Sequence, residues 1–186
     1  MERTKKWIRA HKWYVVCAFI ISGGLCGEFY LFQYGFLKCL RYLTLLTGLW
    51  IIAWIDKREK RIPNKILLWL LGIRALILLV ECIVYIEYWG TILLNFTGAT
   101  FVAGGMFLLC YLLSRGGMGA GDVKLLTVVG FYVGLSVIFT DIFLTVCAAA
   151  FYTVIFLILK KIKMKEEISF APFVLIGTVL TMALGM

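Results

Sequence analysis

Seven stretches of mostly apolar sequence, at residues 13–33, 39–55, 65–86, 91–113, 123–138, 141–159 and 168–185, constrain this chain more than any other feature. A bilayer core needs about 20 apolar residues per helix. Inside hydrocarbon each backbone N–H and C=O must be satisfied within the protein, so separate runs of this length fold as helices. The expectation is an all-α polytopic membrane protein with about seven transmembrane helices, six to eight being compatible with the pattern. With 63% hydrophobic and 16% charged residues and a mean hydropathy of +0.99, the chain lies far from the range of soluble domains. The basic start, MERTKKWIRAHK, looks like the head of a signal peptide. The run behind it is long enough to span and lacks a small-residue cleavage site, so it reads as a retained helix.

The breaks between runs carry the orientation. Sixteen of the 19 Lys and Arg residues fall in the leader, the loop at 57–65, the glycine loop around Arg115 and Lys124, and the loop at 160–165. In a seven-span arrangement all four segments share one side, which the positive-inside rule makes the cytoplasm. The N-terminus is then cytoplasmic and the C-terminus outside, in a plasma or inner membrane. Glu28, Glu81, Glu87 and Asp141 fall on or toward the far side.

Little side-chain chemistry is left to choose from. The six cysteines are scattered without a C-x-x-C pair, and the single histidine, His11, sits in the leader. No metal site, cofactor, disulfide framework or nucleic-acid partner is expected. Chemistry must come from carboxylates. Two acids close or open spans on the cytoplasmic side with apolar sequence directly against them: Asp56 ends W-I-I-A-W-I-D, and Asp122 opens D-V-K-L-L-T-V-V-G. They are 66 residues apart, but the two intervening spans go out and return, so both reach the same membrane depth. A pair of carboxylates can divide the work of peptide hydrolysis, one ionised and activating water, the other protonated and polarising the carbonyl.

The residues around the pair fit that reading and also a plainer one. Gly119 and Gly121, flanking Ala120, leave room for an extended peptide backbone near Asp122 and permit positive φ. Equally, Asp122 suits the N-cap of the fifth span. Pro63 and Asn64 read as the stop of a loop and the cap of the third span, holding Asp56 in place. Lys124 reads either as a snorkelling residue or as a charge tuning Asp122. Arg74, inside the third span, either reaches the cavity near the pair or ion-pairs with Glu81 or Glu28. Gly130 and Gly134 form a G-x-x-x-G pair suited to close helix packing, within one chain or between two. Since Asp122 opens a helix and Asp56 closes one, the helix dipole favours Asp122 as the charged base and Asp56 as the proton holder.

At these residues the sequence resembles the type IV prepilin peptidases among the GxGD membrane aspartyl proteases. Gly119-Ala120-Gly121-Asp122 with Lys124 matches G-x-G-D-x-K, Asp56 followed by Ile62-Pro63-Asn64 matches the second family element, and Phe170-Ala171-Pro172-Phe173 resembles the start of the last helix. The resemblance implies a GxGD-type bundle with Asp56 and Asp122 as the catalytic pair. It also implies cleavage of basic leader peptides from prepilin or pseudopilin precursors at the cytoplasmic face. It divides the chain into a basic N-terminus with a first helix at 1–38 and a peptidase-like domain at 39–186. The missing C-x-x-C pairs imply a form without the N-methyltransferase domain of bifunctional members. A non-catalytic assembly subunit or a small proton-coupled transporter are the rival readings, and the oligomeric state is open.

Overall fold

Each apolar run closes its backbone hydrogen bonds on itself. The computed structural model describes residues 35–114, 118–159 and 168–185, with Gly23, Gly24 and Gly27 isolated ahead of them. Six helices follow: α1 Phe36–Glu59, α2 Asn64–Val84, α3 Trp89–Leu113, α4 Ala120–Val133, α5 Leu135–Ile158 and α6 Ala171–Ala183. Four of them, α1, α2, α3 and α5, are long and apolar enough to cross a bilayer. The protein is thus an all-α, multi-pass membrane protein. The run at 13–33, apart from its three glycines, and the basic segment 160–167 lie outside the described residues, as do Gly116 and Gly117.

Two boundaries differ from those the sequence predicts. The break expected at 139–140 falls instead at Gly134, whose φ of 90° ends α4 and begins α5. Hydropathy is blind to this hinge because both sides are equally apolar; a positive φ at a glycine costs nothing in side-chain clash. Asn95 supports the turn, its Oδ1 accepting the Leu135 N–H at 2.7 Å. Asp141, expected toward the far surface, consequently lies inside α5 and is fully buried. Thr178 and Thr181, whose hydroxyls also donate to carbonyls of their own helix, interact with the buried Asp141 carboxyl.

Helices α1, α4 and α6 supply most of the core. Leu45, Leu49 and Ile52 of α1, Leu125, Leu126 and Val129 of α4 and Val174 of α6 are all fully buried. The longer α2, α3 and α5 turn residues such as Trp69, Leu94 and Phe151 outward, as a surface solvated by lipid allows. Gly130 packs so closely on α3 that a Cβ there would stand 2.7 Å from the Ala99 carbonyl oxygen, so this half of the G-x-x-x-G pair serves packing within the chain.

The two short helices set the depth of their own starts. At about 1.5 Å per residue the 14 residues of α4 rise about 21 Å, less than the ~30 Å apolar core. Helices α3 and α4 run antiparallel, with Gly134 against Phe96, Gly130 against Ala99 and Gly104 against Thr127. Phe170, just ahead of α6, sets its ring 6.2 Å from that of Phe107, six residues before α3 ends. The start of α6 therefore lies about 9 Å beneath the end of α3. On the register just given α4 also begins short of it.

Candidate active site

Asp56 sits in the last turn of α1 and is 5% exposed. Its helix ends four residues later on Lys60, a non-glycine residue at φ 51°, whose N–H closes on the Asp56 carbonyl at 2.8 Å. Ser169 Oγ donates to the same carbonyl at 3.0 Å. The carboxylate itself meets the beginning of another helix: the Ala171 N–H donates to Asp56 Oδ2 at 3.0 Å. That N–H is one of the unpaired donors at the start of α6, where negative charge is favoured. Pro172, in the same first turn, sits where a missing N–H is harmless.

Asp122 is the third residue of α4, ahead of the apolar stretch that begins at Val123. The helix N-cap is Gly119, correcting the expectation that Asp122 caps it. Asp122 instead reaches back to the Gly119 N–H while its own N–H donates to the Gly119 carbonyl at 3.0 Å, the third-position half of a capping box. Burial and then the negative charge of Asp56 push the Asp122 carboxyl up to about 6, against the pull of the Gly119 N–H. The two aspartates are therefore neighbours, brought to one end of the bundle from 66 residues apart.

The glycines act by proximity, and the expected positive φ is absent at both: Gly119 has φ −76° and Gly121 is helical. A Cβ on Gly119 would stand 3.1 Å from Asp122 Oδ2. One on Gly121 would stand 3.2 Å from the Cβ of Ile62, so Gly121 admits the I-P-N segment against the first turn of α4. Ala120, between them, is exposed. On the opposite strand of the contact Pro63 is the N-cap of α2, with no side-chain cap, and Asn64 is the first helical residue. Asn64 does not cap; its Oδ1 accepts a hydrogen bond from Lys124 Nζ at 3.2 Å. Lys124 thus takes a third role, tying the segment after Asp56 to the helix that carries Asp122.

Arg74 is far from this site. It is fully buried, with Nη1 2.9 Å from Glu81 Oε2 and Nε donating to the Phe131 carbonyl at 3.0 Å. The ion-pair reading holds with Glu81; Glu28 lies outside the described residues. Sequence reasoning missed Ser169 and the Ala171 N–H, although a Ser two residues ahead of an Ala-Pro turn is a readable sign of a helix start. Nothing local to 169–171 points to Asp56. Among the described residues no cluster of three or more His, Cys, Asp or Glu side chains is placed to hold a metal.

This geometry defines a class: a polytopic helical membrane protein with two acids recessed among helix ends, one in hydrogen-bond contact with a helix start. The chain belongs to the type IV leader peptidase family, whose model matches residues 43–159 and so includes both aspartates. It is 27% identical over 145 residues to the prepilin leader peptidase/N-methyltransferase of Bacillus subtilis (strain 168), an alignment covering 77% of this chain and 55% of that relative. The chain thus spans about half the length of the curated relative it matches. No solved structure matches it.

Proposed function

We propose that this protein is an aspartic endopeptidase that removes basic leader peptides from prepilin-like precursors at the cytoplasmic membrane face. The observation that carries the reading is the meeting of Asp56 and Asp122, with the charge of one acting on the other. Family membership and the similarity to the Bacillus subtilis relative support the substrate class.

We assign the two acids roles opposite in sense to those the helix dipole gives from the sequence. Asp56 ends its own helix and is buried, both of which disfavour its charge, but it accepts an N–H from the start of α6, which favours its carboxylate. Asp122, raised to about 6, holds a proton into the mildly acidic range. Asp56 then takes a proton from water as the water oxygen bonds to the scissile carbonyl carbon, while Asp122 gives its proton to the carbonyl oxygen. In the second step the proton on Asp56 passes to the amide nitrogen and the C–N bond breaks. Asp122 regains its proton from the diol as the carbonyl re-forms. Ser169 and the Lys124–Asn64 contact hold the two helix ends that carry the acids.

The 186-residue sequence contains no C-x-x-C pair, and we assign it the peptidase reaction without methyl transfer. Incubating the purified protein with a prepilin-like precursor and a methyl donor, followed by mass spectrometry, tests both parts. The expected product is truncated at its N-terminus and unmodified. An intact precursor would remove the peptidase reading, and a product heavier by one methyl group would remove the single-activity reading.

A further inference from the structure

Asp141 is the only charged residue of α5, and it is fully buried. A carboxyl inside a spanning helix is costly to keep, and neither step of the proposed reaction uses this one. Its neighbours are on α6, where Thr178 and Thr181 interact with it. One turn further along α5, Thr145 meets Gly177, where a Cβ would stand 2.8 Å from the Thr145 backbone nitrogen and 2.9 Å from its Cα. Further still, the Tyr152 ring lies 5.2 Å from that of Phe173. The two helices therefore run antiparallel in contact from Phe173 to Thr181.

These contacts fix different things. Gly177 lets the backbones touch and so sets the separation of the helices, but a glycine face is smooth along the axis. A carboxyl engaged by two hydroxyls three residues apart, about 4.5 Å along the axis, resists sliding of α6 in either direction. Axial register matters at the other end of α6, where the Ala171 N–H reaches Asp56 Oδ2 at 3.0 Å. Helix N–H groups point along the axis, so sliding changes that distance directly. Thr178 is only two turns, about 10.5 Å, from Ala171 along continuous helix.

We propose that Asp141 is a positioning residue for Asp56: by holding Thr178 and Thr181 it sets the axial register of α6, and with it the reach of the Ala171 N–H to the Asp56 carboxylate. Its meaning for catalysis rests on the peptidase reading; its action on Asp56 does not. Ser169, which donates to the Asp56 carbonyl from just ahead of α6, moves with the same helix. An apolar residue at 141 leaves the Gly177 contact in place. It also leaves both threonine hydroxyls bonded to the Val174 and Gly177 carbonyls at 2.9 Å, so it removes the lock on register without stranding a buried hydroxyl. Asparagine keeps the shape of the side chain and can both accept and donate.

The test uses the full chain in detergent micelles, with its aspartates labelled with ¹³C and the Asp56 carboxyl signal assigned from its loss in Asp56→Asn. In Asp141→Leu the pH at which Asp56 takes up its proton should rise by about one unit, a tenfold change in proton affinity, as expected when a carboxylate loses one N–H donor. Asp141→Asn should leave it near the wild-type value. The charged groups next to Asp56 along the chain or across the site, Lys57, Arg58 and Asp122, are untouched by both variants. Thr178→Val with Thr181→Val, which keeps side-chain shape, should reproduce the shift and carries the test should Asp141→Leu fail to fold. With a cleavable precursor, the acid limb of kcat/KM should move by the same amount. An Asp56 titration unchanged in Asp141→Leu, or in the threonine pair, would overturn the proposal. A shift in Asp141→Asn as large as in Asp141→Leu would also overturn it, since the hold on α6 would then not be the cause. A wild-type chain that leaves the precursor intact would remove the peptidase reading alone, because the titration still decides the role of Asp141.

Discussion

The two ends of this bundle handle buried charge in opposite ways. Around Glu81, unlike charges meet: two arginines share one carboxylate, and the Phe96 ring stacks 4.6 Å from the Arg41 guanidinium carbon and 4.2 Å from that of Arg74. Around Asp122, like charges meet: burial and then a second carboxylate nearby push its proton affinity up. Opposite charges in a low-dielectric interior hold helices together, and removing one partner strands the other. Like charges in the same setting keep one proton between them that neither group would hold alone in water. The first arrangement holds structure, and the second holds a proton that, on the function proposed above, is the reactive one. Buried ionisable groups in a membrane protein therefore call for opposite interpretations according to the sign of their neighbours.

The contrast is sharpest in activity. Asp56→Asn and Asp122→Asn should each lower precursor cleavage by at least roughly 10²–10⁴-fold, the usual contribution of a positioned acid or base, while the protein stays folded. Substantial cleavage by either variant in a gel-shift assay would make this end structural too. Glu81→Gln should do the reverse. It leaves two buried guanidiniums without their shared carboxylate, and a loss of about 3–5 kcal/mol in stability is expected, read as a lowered melting temperature. Specific activity per folded molecule should hold.

Next in size is the glycine contact. Gly121→Val places a branched side chain against Ile62 and should cost about 1–3 kcal/mol, with a matching loss of cleavage as the I-P-N segment is pushed away. Ala120→Val, at an exposed position, should behave close to wild type. Comparable activity in the two variants would remove the packing role given to Gly121.

A smaller effect is expected from pH. Since Asp122 is raised from 3.8 to about 6, the folded protein binds a proton between those values that the unfolded chain has released. The stability linked to that proton is fully present below 3.8 and is lost as pH rises through about 6. Asp122→Asn should therefore melt a few degrees above wild type at pH 7.5 and match it near pH 3.5. For wild type, kcat/KM should fall on the alkaline side as Asp122 loses its proton, with an apparent midpoint near 6 in the free enzyme. A flat profile between pH 5 and 8 would take the proton-holding role away from Asp122. The smallest expected effect is at the exposed Lys124–Asn64 contact. A double-mutant cycle with Lys124→Gln and Asn64→Ala should give a coupling of about 1 kcal/mol or less.

Much of this protein is determined by the sequence alone. Continuous apolar runs force helices, because lipid offers the backbone no other partner, and α1, α2 and α3 begin and end within a few residues of where hydropathy puts them. The two aspartates are legible as well, since an acid directly against an apolar run is conspicuous, and the motifs around them are short and local. What the linear pattern does not carry is anything set by a partner distant in sequence. The hinge at Gly134 is invisible in a run apolar on both sides. Asn64 looks like a cap until Lys124 is seen to hold it. The division of labour proposed for the acids differs from the helix-dipole expectation for the same reason. A helix dipole read along the chain assigns charge to Asp122 and the proton to Asp56, but the field at Asp56 comes from the start of α6, 115 residues away. Electrostatics acts through space, so only the packed bundle decides which helix end each carboxylate faces.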